Sequence, residues 1–299
     1  MQPAFRAPIA RAAVWMAGWL TLMVVIAVAG REAARELSVF QIMLLRSTMG
    51  VAMLWPLVHA AGGLTAVRTG RLPQHALRNV IHYAAQYGWF VALTLIPLAQ
   101  VVSIEFTMPI WSAALAVLFL GERMSGLKWF AVLLGLVGVA VIVRPRAGEL
   151  DAGQLIALVA ALGFAISIVL VKSLTRTDAS VAISFWMLIV QSAIGLVPAL
   201  VTWQWPSPTA WGWVVVVAFC GTYSHYCFAQ AMQHADATVV VPMDFLRVPL
   251  TALVGWLAYS ERLDLYTALG VGLILAGNVL NLVRLPAAPQ GPSRDPLKP

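Results

Sequence analysis

The sequence predicts an all-α integral membrane protein of ten transmembrane helices, arranged as two inverted five-helix repeats. Three observations lead to this prediction: the composition, the length of the apolar stretches and an internal duplication. Of the 299 residues, 61% are hydrophobic and 10% are charged, and the mean hydropathy is +0.86. An ordinary soluble domain is about 45–50% apolar and about 25% charged. A soluble fold could not bury so much apolar surface, so lipid is the expected solvent.

Apolar stretches recur along the chain, each close to the roughly 20 residues that cross a hydrocarbon core of about 30 Å. The first stretch contains Ala27-Val28-Ala29, which is like a signal-peptidase site. We expect this helix to be retained, because it is long enough to span the membrane and the duplication needs it as its first member. The ten predicted spans are 12–30, 38–60, 78–97, 100–120, 126–144, 153–173, 180–202, 209–230, 237–259 and 265–284.

The distribution of Lys and Arg predicts the orientation in the membrane, because cytoplasmic loops carry an excess of both. With ten spans the two termini share one side, and that side collects most of the basic residues, including Arg71 and Lys128. We therefore expect a multi-pass inner-membrane protein with both termini cytoplasmic. Residues 285–299 are rich in proline and are expected to form a disordered cytoplasmic tail. The net charge of +7 thus reflects topology, and no nucleic-acid partner is expected.

The chain also aligns with itself at an offset of 139 residues. Charged and glycine matches in one register carry this alignment, because apolar matches alone would be weak. Five helices per copy is an odd number, so the second copy enters the membrane with opposite polarity. The predicted repeats are 12–144 and 152–284. The main aligned pairs are Glu105 with Asp244, Phe106 with Phe245, Glu122-Arg123 with Glu261-Arg262, and Gly138 with Gly277.

Two copies of one motif carry a family resemblance. The first runs from Phe106-Thr-Met-Pro109 to Leu120-Gly-Glu-Arg123, and the second from Asp244-Phe-Leu-Arg247 to Tyr259-Ser-Glu-Arg262. This pattern resembles the EamA-type repeat of the drug/metabolite transporter superfamily over roughly residues 12–284. The resemblance implies a ten-helix carrier of metabolites in a bacterial inner membrane. The second copy departs from the family at Ser260, where glycine is usual.

Four charged residues lie inside the predicted spans: Arg46, Glu105, Asp244 and Arg247. Each costs about 2.5–3.5 kcal/mol on insertion scales, so each needs a reason. Arg46 and Glu105 are predicted at similar depth and able to pair, while Asp244 and Arg247 are three apart on one helix. Two interpretations are open. These residues are structural ion pairs, or the carboxylates face a cavity and bind substrate or a proton.

A polar and aromatic face on two further helices completes the candidate substrate-binding residues. Tyr83, Gln86 and Tyr87 share one face of the third predicted helix, and Tyr226 and Gln230 lie on the related face of the eighth. Such a face lines a cavity or makes hydrogen bonds to another helix rather than contacting lipid.

Candidate structural or gating residues lie at helix ends and at expected close helix contacts. Capping and closure between the halves are the expected duties of the charged pairs, and close packing that of the glycines. They are Glu122, Arg123, Glu261, Arg262, Gly138 and Gly277.

No H-E-x-x-H, G-x-S-x-G, C-x-x-C or glycine-rich nucleotide loop is present, so no enzyme activity, cofactor or metal is expected. We expect a secondary transporter that moves a small amphipathic metabolite, such as an amino acid or a vitamin, by alternating access. Proton coupling is a further expectation, because a carboxylate in low dielectric can titrate near neutrality. Membrane lipids are the other expected partners. The alternative is a membrane-embedded enzyme or a lipid-binding scaffold without a transport cycle.

The predicted orientation gives a first test. A single cysteine near Arg144 should react with an impermeant thiol reagent in intact cells, whereas one near Arg71 should react only after lysis. The opposite labelling pattern would reverse the orientation.

Overall fold

The computed structural model describes residues 6–108, 110–111, 115, 126–143, 151–174, 177–234, 243–244, 246–261 and 264–282. Across these residues the chain is helical and contains no β-strand. Ten α-helices of eight residues or more are described there. They are α1 Arg6–Ala33, α2 Val39–Ala60, α3 Leu72–Leu95, α4 Leu98–Glu105, α5 Gly126–Val143, α6 Ala152–Leu174, α7 Ser180–Val201, α8 Pro208–His234, α9 Arg247–Tyr259 and α10 Leu265–Leu282.

Two helix boundaries differ from the sequence-based expectation in ways that affect the interior. α3 begins at Leu72 rather than at 78, because Pro73 occupies its first turn, where a missing N–H costs nothing. Arg78 therefore lies within the helix and is buried, not in a loop. At the other end of α3, Ile96 and Pro97 are extended and separate it from α4.

Several of the described helices suit a bilayer. Four are long and apolar enough to cross a membrane by length and composition: Ala10–Ala33, Val39–Ala60, Ala152–Val171 and Val181–Val201. α3 is as long but is not among them, because it carries Arg78, His82 and Gln86 on its inner face. The helical architecture with several apolar helices is that of a multi-pass membrane protein, and the count of ten spans stays a prediction.

The main helix contacts follow a two-fold pattern between the halves of the chain. α1 packs along α8, and α3 packs along α6. α2 packs against α7, α5 against α10, and α4 against α9. If α1–α5 are exchanged in order with α6–α10, each of these contacts becomes a contact of the same set.

Glycines allow the closest helix contacts. A Cβ atom on Gly138 in α5 would lie 2.7 Å from the carbonyl oxygen of Gly270 and 3.0 Å from the backbone nitrogen of Ile274, both in α10. A Cβ atom on Gly163 in α6 would lie 2.8 Å from the Cβ atom of Ala85 in α3. Small residues of this kind drive helix association in lipid, where apolar surfaces gain little from meeting each other.

One end of the bundle, here called the Glu261 end, is closed by polar contacts between the halves. The Arg31 guanidinium binds the Glu261 carboxylate and donates to the carbonyl oxygens of Leu93 at 2.5 Å and Ile96 at 2.7 Å. Glu261 also accepts the backbone N–H of Leu98 at 3.0 Å. The helix end of the second half is thereby joined to α1 and α4 of the first.

The opposite end, here called the Asp178 end, is held by the loops after α2 and α6. The Asp178 carboxylate accepts from the Thr69 hydroxyl at 2.6 Å and contacts His75 Nε2 at 2.7 Å. Burial raises the pKa of Asp178, but hydrogen bonds from His75, Thr69 and Thr177 outweigh it and hold that pKa below its usual value. Arg71 donates to the Ser173 carbonyl oxygen at 2.8 Å. These contacts join α3 to α6 and α7.

The glycine contact between α5 and α10 predicts a stability difference between two substitutions. Gly138→Ala should destabilise the protein by about 1–3 kcal/mol, because the clash is with backbone atoms that cannot move aside. Gly272→Ala is the matched control on α10, since no atom lies within 4 Å of its added methyl group. Thermal unfolding in detergent measures both. Equal midpoints for the two variants would contradict the close contact.

Candidate functional site

The fourth helix of each half is interrupted at the same repeat position. In the first half the amide of Thr107 donates to the carbonyl oxygen of Ile104 at 3.0 Å, and in the second the amide of Leu246 donates to that of Met243 at 3.2 Å. The two bonds are related by the 139-residue offset. Each is a tight bond to the third residue back rather than the fourth, and it marks the end of regular helix.

Proline supplies a chemical reason for the interruptions. Pro109 and Pro249 have no N–H, so the carbonyls of Glu105 and Phe245, four residues earlier, lose their helical donors. Both prolines are visible in the sequence, inside stretches that the hydropathy pattern predicts as continuous spans. A hydropathy profile contains no information on hydrogen-bond donors, so it did not predict the interruption.

The charged residues at the two interruptions meet each other. Arg247 Nη1 lies 2.9 Å from Glu105 Oε1, and Arg247 Nη2 lies 3.2 Å from Asp244 Oδ2. The Arg247 side chain is 3% exposed, and its guanidinium carbon sits 4.8 Å from the centroid of the Phe106 ring. Glu105, Asp244 and Arg247 are named the Arg247 triad below.

Two tryptophans hold the outer oxygens of the triad. The Trp19 indole N–H donates to Asp244 Oδ1 at 2.6 Å, and the Trp89 indole N–H donates to Glu105 Oε2 at 2.9 Å. Trp19 belongs to α1 and Trp89 to α3, so both carboxylates are fixed by helices other than their own. Charge-assisted hydrogen bonds of this kind are about twice as strong as neutral ones.

The triad lies on the wall of a cavity of about 490 Å³, which is within the usual size of a small-molecule site. Along α3 the lining runs from Arg78 to Phe90, a distance of about 18 Å at 1.5 Å per residue. Aromatic rings make up much of the remaining wall. The lining residues used below are Trp19, Arg46, Arg78, Gln86, Trp89, Glu105, Phe164, Gly221, Phe228, Asp244 and Arg247.

The four predicted intramembrane charges, Arg46, Glu105, Asp244 and Arg247, all line this cavity. Asp244 and Arg247 pair as their spacing predicted. The expected pair between Arg46 and Glu105 is wrong, because Glu105 binds Arg247 from the other half instead. The predicted depths pointed to Arg46, whereas the packing of α4 against α9 brings Arg247 to Glu105.

The residues of the predicted polar and aromatic face have two different roles in the structure. Gln86 lines the cavity, with its side-chain oxygen buried and bonded to no described residue. Tyr83 packs on α7, and its hydroxyl oxygen lies 2.9 Å from the position that a Cβ atom on Gly195 would occupy. Tyr87 stacks on Phe40, with the two ring centroids 4.4 Å apart. These two tyrosines contact other helices, but the Tyr83 hydroxyl is buried with no hydrogen-bond partner among the described residues, so the expected hydrogen bond to another helix is not seen there.

The other predicted residues lie away from the cavity or outside the described structure. Gln230 is half-buried on α8 and does not line the cavity, while the Tyr226 side chain lies outside the described residues. Glu261 joins the halves at the Glu261 end, and Gly277 is buried in α10. Of the remaining helix-end residues, Glu122, Arg123 and Arg262 also lie outside the described residues.

Several cavity residues were not predicted as site residues, among them Trp19, Trp89 and Arg78. Trp19 and Trp89 belong to apolar stretches, where an indole N–H gives no hydropathy signal. Arg78 was predicted as the first residue of the third span, at the membrane boundary rather than in the interior. A signal for Arg78 was available in Pro73, because a helix that begins there carries residue 78 into the second turn.

A multi-pass helical protein with a cavity of charged and aromatic side chains between two related halves is typical of membrane transporters. Residues 10–144 and 151–283 each match the EamA-like transporter family. The chain therefore belongs to this family. It is a bacterial membrane transporter for small metabolites and not an enzyme, as the absence of catalytic motifs predicted.

Named relatives and a solved structure are consistent with this assignment. The chain is 29% identical to a riboflavin transporter of Rhizobium johnstonii, over 73% of this chain and 72% of that protein. It is 24% identical to an S-adenosylmethionine uptake transporter of Rickettsia felis, over 86% of this chain and 89% of that protein. A crystal structure of a protein with 20% identity superposes with a TM-score of 0.63, over 90% of this chain and 95% of the other.

The triad predicts an energetic coupling across the two halves. A double-mutant cycle with Glu105→Gln and Arg247→Gln should show about 0.5–3 kcal/mol of interaction in the free energy of unfolding. The control cycle pairs Glu105→Gln with Arg46→Gln and should be additive within about 0.5 kcal/mol. A larger interaction energy in the control cycle than in the test cycle would mean that Glu105 pairs with Arg46, as the sequence led us to expect.

Proposed function

We propose that this chain is a secondary transporter that carries a small amphipathic metabolite across the bacterial inner membrane by alternating access. In this proposal ten spans form two inverted repeats, residues 12–144 and 152–284. The observation that carries it is the cavity at which the interrupted fourth helices of both halves meet with their charges. Interrupted helices that line a site between repeats are a recurrent feature of such transporters.

The helix contacts support the inverted arrangement. An exchange of α1–α5 with α6–α10 reproduces the main contacts. Five helices per copy give the copies opposite polarity, provided that each helix crosses the membrane once. Rocking of one copy against the other could then open the shared cavity to each side in turn.

The contacts at the two ends suggest which side is closed. At the Glu261 end, Arg31 and Glu261 join the halves above the cavity. On the proposed topology this end faces the periplasm, with both termini and residues 285–299 in the cytoplasm. The cavity extends along α3 towards Arg78 and the Asp178 end, so the described conformation corresponds to a carrier closed to the outside.

The cavity wall indicates the chemistry of the substrate. Rings of Trp19, Trp89, Phe164 and Phe228 offer flat apolar surfaces, and the triad offers charge. An amphipathic metabolite such as a vitamin or an amino acid meets both requirements. Relatives named for riboflavin and for S-adenosylmethionine fit this class, because each of these compounds carries a fused heteroaromatic ring with polar groups.

The proposal includes proton coupling, with a carboxylate of the triad as the proton carrier. The two carboxylates share one guanidinium, so one of them can take up a proton while the other still neutralises Arg247. Glu105 and Asp244 are the candidates, since they come from equivalent positions in the two halves.

Asp244→Asn tests the proposed function. The amide keeps the shape and can still accept from Trp19, and Glu105 still neutralises Arg247, so stability should change little. Uptake into proteoliposomes under an imposed pH gradient should fall below about a tenth of the wild-type rate, equivalent to about 1.4 kcal/mol. Riboflavin, S-adenosylmethionine and a set of amino acids serve as substrates in this assay.

Asp151→Asn is the matched control, because Asp151 is exposed at the start of α6 and lies outside the cavity. Its uptake should equal that of the wild type. Restored uptake in the double variant Asp244→Asn with Arg247→Gln would show that Asp244 only balances a charge. Absence of wild-type uptake with every compound would contradict the proposed substrate class.

A further inference from the structure

Two more arginines line the cavity besides Arg247. Arg46 of α2 is 3% exposed and Arg78 of α3 is 7% exposed, and both contribute to the wall. A guanidinium remains charged under all physiological conditions, so both bring a permanent positive charge into the interior.

These two arginines have donor groups that bind nothing in the described residues. Arg46 Nε and Nη1 are buried without a hydrogen-bond partner, and so is Arg78 Nε. Arg78 Nη1 donates to Asn79 Oδ1 at 2.7 Å, which is a neutral partner. The two cavity carboxylates, Glu105 and Asp244, are already bound by Arg247 and the indole groups.

The neighbouring backbone makes room for the Arg46 side chain. A Cβ atom on Gly221 of α8 would lie 2.9 Å from Arg46 Nε. Any side chain at residue 221 would therefore displace the guanidinium from its place on the cavity wall. Gly221 itself lines the cavity, so the space that it leaves open belongs to the same site.

An unpaired buried charge is strongly destabilising, because it has lost its hydration and gained no partner. The described lining has three arginines against two carboxylates, so a positive charge remains in excess when His82 is neutral. Protonation of a triad carboxylate would increase this excess. A ligand that brings a negative charge relieves it, and a cationic ligand increases it.

We propose that Arg46 and Arg78 form an anion-binding subsite for the transported substrate. The substrate then carries a carboxylate or a phosphate at one end and a flat ring at the other. The acid binds the two guanidinium groups, which suit planar bidentate recognition of either anion, and the ring packs on the aromatic wall. This inference rests on the proposed transport function and names the substrate class of the same cavity.

The experiment uses the purified full-length protein and two matched ligand pairs. Riboflavin 5′-phosphate is compared with riboflavin, and indole-3-acetate with indole-3-acetamide, at constant ionic strength. The members of each pair share a ring and differ in the acid. Thermal shift titration of the wild type should give at least about tenfold tighter binding for the acidic member of one pair.

Arg46→Gln and Arg78→Gln should each reduce this preference about tenfold and leave the binding of the neutral member within about twofold. Arg46→Lys and Arg78→Lys keep the charge and should retain part of the preference, which covers the case of a glutamine variant that fails to fold. Arg68→Gln is the matched control, since Arg68 is exposed outside the cavity, and it should behave as the wild type.

Equal binding of both members of each pair by the wild type, or binding of none of the four compounds, would overturn the subsite. So would a preference for the acid that survives both glutamine substitutions. Failure of the transport proposal gives a different result, namely acid-selective binding with no uptake into proteoliposomes. Uptake of neutral compounds alone would keep the transporter and remove the subsite.

Discussion

Burial of the Arg247 guanidinium at the interruption of the fourth helices is the constraint on which the interior depends. A charge at this depth needs partners, because a bare ion in low dielectric is strongly destabilised. One partner, Asp244, comes from the same half, and the other, Glu105, comes from the opposite half. Both halves therefore contribute a carboxylate to the same guanidinium. The same contacts that neutralise Arg247 hold α4 and α9 together.

Irregular backbone at membrane depth is tolerated where it is buried in protein or lines a cavity. Both conditions are met here, because the interruptions lie at the contact of α4 with α9 and beside the cavity. Indole donors from α1 and α3 complete the polar contacts of the carboxylates. The interruption thus places charged groups towards a ligand rather than towards lipid.

The two ends of the bundle are joined in different ways, which bears on the proposed cycle. At the Glu261 end a small polar cluster around Arg31 joins the halves, and individual contacts of this kind contribute about 1–3 kcal/mol. A substrate-driven change could break such a cluster without unfolding any helix. At the Asp178 end Arg71 and His75 of the first half contact Ser173 and Asp178 of the second, so rocking of the copies would change these contacts as well.

The sequence by itself determined the helical membrane class, the duplication and the four intramembrane charges. These follow from local composition, from periodicity and from a fixed offset, none of which depends on the packing of the helices. It also determined the pair between Asp244 and Arg247, because a separation of three residues keeps the two side chains within reach across the interruption. Pro109 and Pro249 further marked the interruption, although hydropathy concealed it.

Only the tertiary structure decided which charges meet across the halves and which donors stay unbound. Glu105 and Arg247 are 142 residues apart, and Trp19 and Asp244 are 225 apart, so no local rule relates them. The predicted depths had favoured Arg46 as the partner of Glu105. The choice depends on rotations and shifts of whole helices, which are set by the sum of many small packing contacts. As a result of this packing, Arg46 lines the cavity and Glu105 binds Arg247 instead.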